Sequence, residues 1–367
     1  MNPDMAVTRD IAPAIVDLWG GGYGDYPAAI NQAGVVVGRH GRQIVMWDRG
    51  TVTEVASSCP FTGCMWDDIA PVGINARGQV VGTQNLHAFL WDKGALTDLG
   101  ASFGRSFASW INEAGDVLGG AMAACAGSLG PYLRSWAPGC GFHAVLWQKG
   151  TPIDLGTLGG NFSDPAAINS AGDVVGSAEL AHGRYEEADV HAFIWKDGIM
   201  TDLGTLGGHS SAARAINSAG QVVGLAENAD GVPHAVPWDH GNTIDLGEGT
   251  ACAINASGQI AGVSSGSAIV WDHGTKIDLG VSTNYCGYFG EAAPTINDAG
   301  EVALSSCTGS YYQTCSAYVW NRGVLTTFRD LGGHTVVFGI NPRGWIVGQS
   351  ITVSGDVPEW HAVLWTP

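Results

Sequence analysis

Charge is scarce in this chain. Only 14% of its 367 residues are Asp, Glu, Lys or Arg, and 16 basic against 34 acidic residues leave a net charge of −18. That balance provides no basic face for a phosphate backbone, so nucleic acid is excluded as a partner, and an anionic membrane surface with it. Long apolar runs are missing too. None approaches the roughly 20 residues of a membrane-spanning helix, so no membrane partner is expected. No stretch holds a helical period of apolar residues. There is no Gly-x-Ser-x-Gly elbow, no P-loop and no dinucleotide fingerprint, and no cofactor is expected. A basic-then-apolar leader is not visible at the N-terminus.

A short pattern repeated eight times fills the chain instead. Each copy reads Ile-Asn-x-x-Gly, an apolar run that usually ends in Gly and a strand ending in Trp, followed in seven of the eight by a Gly turn and usually by Asp-Leu-Gly. The asparagines are Asn31, Asn75, Asn112, Asn169, Asn217, Asn255, Asn297 and Asn341; the tryptophans are Trp47, Trp91, Trp147, Trp195, Trp238, Trp271, Trp320 and Trp365. A period of roughly 44 residues suits a propeller blade. Apolar runs of Val, Ile, Leu and Trp bounded by Gly and Asn predict strands and hairpins. Four antiparallel strands per copy predict an all-β, eight-bladed β-propeller and a single domain over residues 1–367. Residues 14–18 match the fourth strand of the unit, while residues 361–365 are a third strand. The N-terminal strand is therefore expected to complete the eighth blade and close the ring, removing an unpaired edge.

The strings His-Ala-Phe-Leu-Trp (87–91), His-Ala-Phe-Ile-Trp (191–195) and Asp-Leu-Gly-Thr-Leu-Gly-Gly (154–160 and 202–208) resemble the HAF-repeat family over almost the whole chain. Gln43, Ser267 and Ser316 depart from it by replacing the His. The resemblance implies an extracellular protein and no particular reaction.

Cysteine points the same way. Eight cysteines, several paired closely within loops, read as disulfides of an oxidising compartment. The expected bridges are Cys59–Cys64, Cys125–Cys140 and Cys307–Cys315, with Cys252–Cys286 left by elimination. Cys-x4-Cys is too wide for a usual zinc knuckle, and no metal is expected. We therefore expect a secreted or extracytoplasmic monomer.

One end of each unit carries tight turns and the other carries loops of varied length. Function gathers on variable loops over a rigid scaffold. Residues entering the first strands also differ from copy to copy. The candidate catalytic residues are Asp68, Asp164, His209, Glu291 and His334; the candidate ligand-binding residues are Asp67, Arg105, Arg214, Glu248 and Tyr288. Paired carboxylates suit glycoside hydrolysis; a His or Tyr base with an Arg clamp suits β-elimination on a uronate. The bland alternatives are a solvated rim, and arginines that pair with the same end's own acids. The repeated His87, His143, His191, His234 and His361 are read as structural, because catalysis needs one site. Their companions Asp17, Asp98, Asp154, Asp202, Asp245 and Asp278 are read as turn or inter-blade acceptors. The leading expectation is a small-molecule or carbohydrate ligand, bound and, in an enzyme, cleaved by a glycoside hydrolase or polysaccharide lyase reaction. A non-catalytic protein-interaction scaffold and a small-molecule enzyme of specialised metabolism stay open beside it.

Overall fold

The computed structural model describes residues 14–22, 25–57, 69–122, 141–181, 189–283, 293–308, 314–328, 330–354 and 357–367. Every regular element among them is a strand. The chain divides into two compact units, residues 55–248 and residues 1–54 with 249–367.

In the first unit the second copy forms a sheet of Ile69–Ile74, Val80–Gln84, His87–Asp92 and Ala95–Asp98. The third adds Ser106–Ile111, Val117–Met122, Phe142–Gln148 and Thr151–Asp154. The fourth and fifth begin at Gly159–Ile168 and Gly207–Ile216, and their sheets touch through one parallel pair, Val190 with Ser210. The second unit holds the first, sixth, seventh and eighth copies, again as four-stranded antiparallel sheets. In the eighth, Thr335–Ile340, Ile346–Ser354 and Val357–Thr366 are followed by the N-terminal strand Ala14–Gly22, which pairs Ile15 with Trp365 and Asp17 with Val363.

Local chemistry explains why the strands begin and end where they do. Seven third-to-fourth turns place two successive residues at positive φ, as Arg49–Gly50, Lys93–Gly94, Lys149–Gly150, Asp197–Gly198, His240–Gly241, His273–Gly274 and Arg322–Gly323. These are the two-residue turns whose twist suits a hairpin, and glycine meets the second position without strain. The second strands form the core, with Val36, Val80, Val174 and Val302 fully buried. Most are followed by Gly because the first strand bulges against them; a Cβ on Gly224 would lie 2.0 Å from Ala212 O. The seventh copy has Leu304 there, and its described first strand, Thr295–Ile296, pairs without a bulge.

The repeated asparagines join one sheet to the next. Asn75 Nδ2–H donates to Asn112 O at 3.1 Å, Asn112 to Asn169 O at 3.3 Å, and Asn169 to Asn217 O at 3.4 Å. The second unit repeats this from Asn255 through Asn297 and Asn341 to Asn31. Each Oδ1 also accepts backbone N–H groups of its own turn, as Asn169 does from Ala171 and Asp173. A buried amide satisfied on both sides is the physical reason for its recurrence.

The repeated histidines also find partners. Nδ1–H of His87, His143, His191, His234 and His361 donates to Asp98, Asp154, Asp202, Asp245 and Asp17 at 2.8–3.0 Å. The aspartates are thus acceptors within their own sheet, and they also cap the Gly that follows, as Asp154 does for Gly156. Where the first copy lacks the His, Gln43 Nε2–H donates to Glu54 at 2.7 Å over the same spacing of eleven residues.

Three long insertions differ from loops. In the fifth copy, strands Val222–Asn228 and Pro233–Asp239 run on to a tight Asn-x-x-Gly turn at Asn228. In the seventh and eighth, Thr308 pairs with Thr314 and Ser354 with Val357. These insertions extend hairpins. Cys307 and Cys315 face each other in one of them and are disulfide-bonded, as the cysteine spacing predicts. Cys252 is also disulfide-bonded; Cys59, Cys64, Cys125, Cys140 and Cys286 lie outside the described residues.

Candidate functional site

Asp164 and Arg214 come from the first strands of neighbouring copies in the unit 55–248. Asp164 pairs in register with Ser177 just before a bulge, and Arg214 is itself the extra residue of the bulge between Ala213 and Ala215. A bulge redirects a side chain out of the regular alternation. The equivalent residue in other copies is small or apolar, for instance Ala28, Val72 and Ala166. Arg214 alone carries charge there among the described residues.

Solvent reaches Asp164, yet neighbouring protein partly desolvates its carboxylate. That crowding desolvates the carboxylate and raises its pKa above the ordinary aspartate value, while the Arg214 charge pulls it partly back. The result is a reachable carboxyl that holds its proton longer than a surface aspartate would, within the field of the Arg214 guanidinium.

The other candidates are distributed differently. His209 is exposed, donates from Nδ1 to Asp189 at 3.2 Å, and places its backbone N–H on Glu227. It lies five residues before Arg214 on the same strand, within a stretch whose register is irregular. Arg105 is exposed, with no side-chain partner among the described residues, and its carbonyl accepts the Met122 N–H. Glu248 is exposed and bridges to His234 through the backbone. In the other unit His334 is half-buried; its Nδ1 accepts the Cys315 N–H at 3.2 Å, fixing the ring against the disulfide hairpin. Asp67, Asp68, Tyr288 and Glu291 lie outside the described residues. Sequence reasoning missed Glu227 and Asp189 as partners of His209. The signal for Glu227 was Glu179, which accepts the Asn161 N–H at the same repeat position.

Among the described residues no cluster of three His, Cys, Asp or Glu side chains could hold a metal ion, and no helix is long and apolar enough to cross a membrane. Two cavities, of about 410 and 220 Å³, lie elsewhere, beside the tight turns of adjacent sheets. Glu301, Asn321, Gly344 and Trp365 in the larger correspond to Asp173, Lys196, Gly220 and Trp238 in the smaller. Recurrence at one repeat position marks them as gaps of sheet packing.

No family model and no curated protein matches the chain in sequence. Solved structures do match in shape. A Mycobacterium tuberculosis puromycin-hydrolyzing peptidase aligns with TM-score 0.51 and 12% identity over 90% of this chain and 60% of the peptidase. A polysaccharide lyase aligns at 0.44 with 8% identity over 94% and 90% of the two chains. A Xanthomonas campestris gluconolactonase aligns at 0.38 with 11% identity over 99% and 97%. The likeness to the peptidase establishes the fold alone, an all-β architecture of β-propeller type.

Proposed function

We propose that this protein is a secreted, eight-bladed propeller of the HAF-repeat type, closed by its N-terminal strand, that binds a carbohydrate at the end of its sheets carrying the varied insertions. The observation that carries the reading is the Asp164–Arg214 pair: a crowded, reachable carboxyl of raised pKa beside a guanidinium placed by a bulge. Because the pair balances its own charge, it suits a neutral, hydroxyl-rich ligand. Arg214 donates hydrogen bonds and Asp164 accepts or donates them. Where the ligand is cleaved, protonated Asp164 gives its proton to the glycosidic oxygen as the C–O bond breaks, a water molecule adds to the anomeric carbon, and the proton that water sheds returns to the Asp164 carboxylate, the role for which a raised carboxyl pKa is suited.

The test is a glycan array followed by calorimetry of the best neutral glycan with wild type, Arg214→Gln and Asp164→Asn. Arg214→Gln should bind at least tenfold more weakly, about 1.4 kcal/mol. Asp164→Asn should retain most of the affinity and lose any cleavage. An array without a single hit, or wild-type affinity in folded Arg214→Gln, would overturn the proposal. A protein partner captured through the same residues would favour a scaffold instead.

A further inference from the structure

Trp110 lies on Ser106–Ile111, the first strand of the third copy, two residues before the linking Asn112. The same position holds Ala29, Gly73, Ala167, Ala215, Ala253, Thr295 and Gly339 in the other copies. Trp110 is 51% exposed, whereas Trp91, Trp147, Trp238, Trp271, Trp320 and Trp365 of the repeat are at most 8% exposed. An aromatic side chain gains most of its stabilisation from burial. An indole held in solvent, where every other copy has a small residue, is explained neither by packing nor by repetition.

The repeat shows which way this position faces. A Cβ on Gly73, its equivalent in the second copy, would meet Ile111 Cγ2 of the third at 3.5 Å. The residue after the bulge therefore points toward the next copy, and Trp110 points toward the fourth. The eighth and first copies show what occupies the space between two first strands. Phe338 is the extra residue of its bulge, and Tyr26 pairs in register with Arg39 just before the next one. Their rings stack with centroids 6.4 Å apart. Asn341 links those copies as Asn112 links the third to the fourth, at 3.1 and 3.3 Å. In the third and fourth copies the same two register positions hold Ser109 and Asp164. A hydroxymethyl group and a carboxyl thus replace two aromatic rings, and the exposed indole of Trp110 follows Ser109 directly. Asp164 is itself exposed. All three residues belong to the unit 55–248.

We infer that Trp110 and Asp164 form a pyranose subsite between the first strands of the third and fourth copies, in the space that aromatic rings take up between the eighth and the first. The indole face receives the C–H face of one sugar ring, and Asp164 hydrogen-bonds a hydroxyl at the rim of that ring. A six-membered ring with mostly equatorial hydroxyls turns axial C–H groups, slightly positive, toward the negative face of the indole. An open-chain polyol has no such face and would strand hydroxyls against the indole without partners. Trp110 is thus the residue that selects a cyclic sugar from other neutral, hydroxyl-rich molecules. The inference rests on the carbohydrate reading above and narrows its ligand class.

The test uses the full chain with three probes: cellohexaose, β-1,4-galactohexaose, and cellohexaose whose rings have been opened with periodate and reduced with borohydride. Binding is read by calorimetry and folding by the urea midpoint. Wild type should bind at least one intact hexaose and lose the ring-opened chain. Trp110→Ala should bind roughly tenfold or more weakly, as loss of one aromatic stacking partner does, at the wild-type urea midpoint. Trp110→Phe keeps a platform and should stay within about threefold of wild type; Trp110→Leu, apolar but without a π face, should behave like Trp110→Ala. Ser109→Phe copies Phe338 and should block binding by filling the space. Wild-type affinity in Trp110→Ala, or Trp110→Leu binding as well as Trp110→Phe, overturns the subsite. A lowered urea midpoint in Trp110→Ala makes Trp110 a packing residue and overturns it too. Equal binding of intact and ring-opened cellohexaose by wild type overturns it whatever the variants do. Glycan binding that depends on Arg214 and is indifferent to Trp110 sinks this inference and leaves the proposed function standing. Wild type that binds neither hexaose sinks it as well, and the glycan array then decides the proposed function separately.

Discussion

Five His–Asp pairs on the third and fourth strands and the Asp25–His40 pair use the same two side chains with opposite burial. In the repeated pairs the imidazole is the sheltered partner, 12–32% exposed, and the carboxylate stands 37–55% exposed. In Asp25–His40 the carboxylate is fully buried and the imidazole 41% exposed. A sheltered imidazole tied to a solvated carboxylate fills a gap and pins two strands. A sheltered carboxylate behind an open imidazole anchors a hairpin end and leaves the ring to solvent. Repetition separates them further, since a structural device can recur in every sheet while a site for one ligand need not. Repeated positions should therefore cost stability when changed, and unrepeated ones should cost binding or turnover.

The largest stability effect belongs to the asparagine links. Asn169→Ala removes the acceptor for Ala171 and Asp173 N–H and the donors to Asp173 and Asn217 O, all in buried surroundings. Unsatisfied buried groups cost about 1–3 kcal/mol each, so a loss of roughly 3 kcal/mol is expected in urea unfolding, with neutral-glycan binding unchanged in the folded protein. Asn169→Asp keeps the acceptor but sets a carboxylate against Asp173, and should do no better. A loss below about 1 kcal/mol would break the link between repetition and stability.

The His–Asp pairs come next. His191→Ala should cost about 1 kcal/mol, as a partly exposed pair does. The double change His191→Gln with Asp202→Glu copies the native Gln43–Glu54 pair and should recover most of it. A double variant no better than the single one would show that the pairing is not interchangeable. Acid sharpens the point. Burial pushes the Asp154 carboxyl up, but the His143 and Gly156 hydrogen bonds and the His143 charge outweigh it and hold the pKa below the ordinary value. Asp245 is lowered in the same way by Gly247 and His234. A carboxyl whose folded pKa is depressed stabilises above its unfolded pKa, about 3.9, and loses that contribution as pH falls through the folded value. His143→Ala should therefore flatten the loss of stability below about pH 4. An unaltered acid slope would count against the pair.

What was legible in the sequence follows the same division. The asparagine turns, the Trp-terminated strands and the Cys307–Cys315 bridge could be read because local geometry repeats or because the partners are close in sequence. The His–Asp pairing was readable in part: where His becomes Gln43 the residue eleven later becomes Glu54, although Ser267 keeps Asp278. The insertion in the fifth copy was misread as a loop because Asn228-Ala-Asp-Gly, its tight turn, sits outside the repeat. Asp164 and Arg214 were named individually from their polarity, but their proximity depends on how two neighbouring sheets pack and not on spacing. Asp25 and His40 had no periodic partner to reveal them, and the surroundings of Asp25 combine the neighbouring Gly22 with Gln349 from the far end of the chain.

The smallest stability effect should accompany the clearest functional one. Asp164 has its folded pKa raised by crowding, only partly offset by Arg214. Its ionised form is thus disfavoured in the folded protein relative to the unfolded chain. That penalty grows as pH rises through the unfolded and then the folded pKa, and it is absent in acid where both forms are protonated. Asp164→Asn removes the titrating group and keeps the shape. At neutral pH it should melt at the wild-type temperature or slightly above, with the difference closing below about pH 4, while cleavage of the neutral glycan disappears. A residue kept for packing would show the reverse. A variant that melts lower at pH 7 and still turns over its glycan would place Asp164 among the structural carboxylates and remove it from the site.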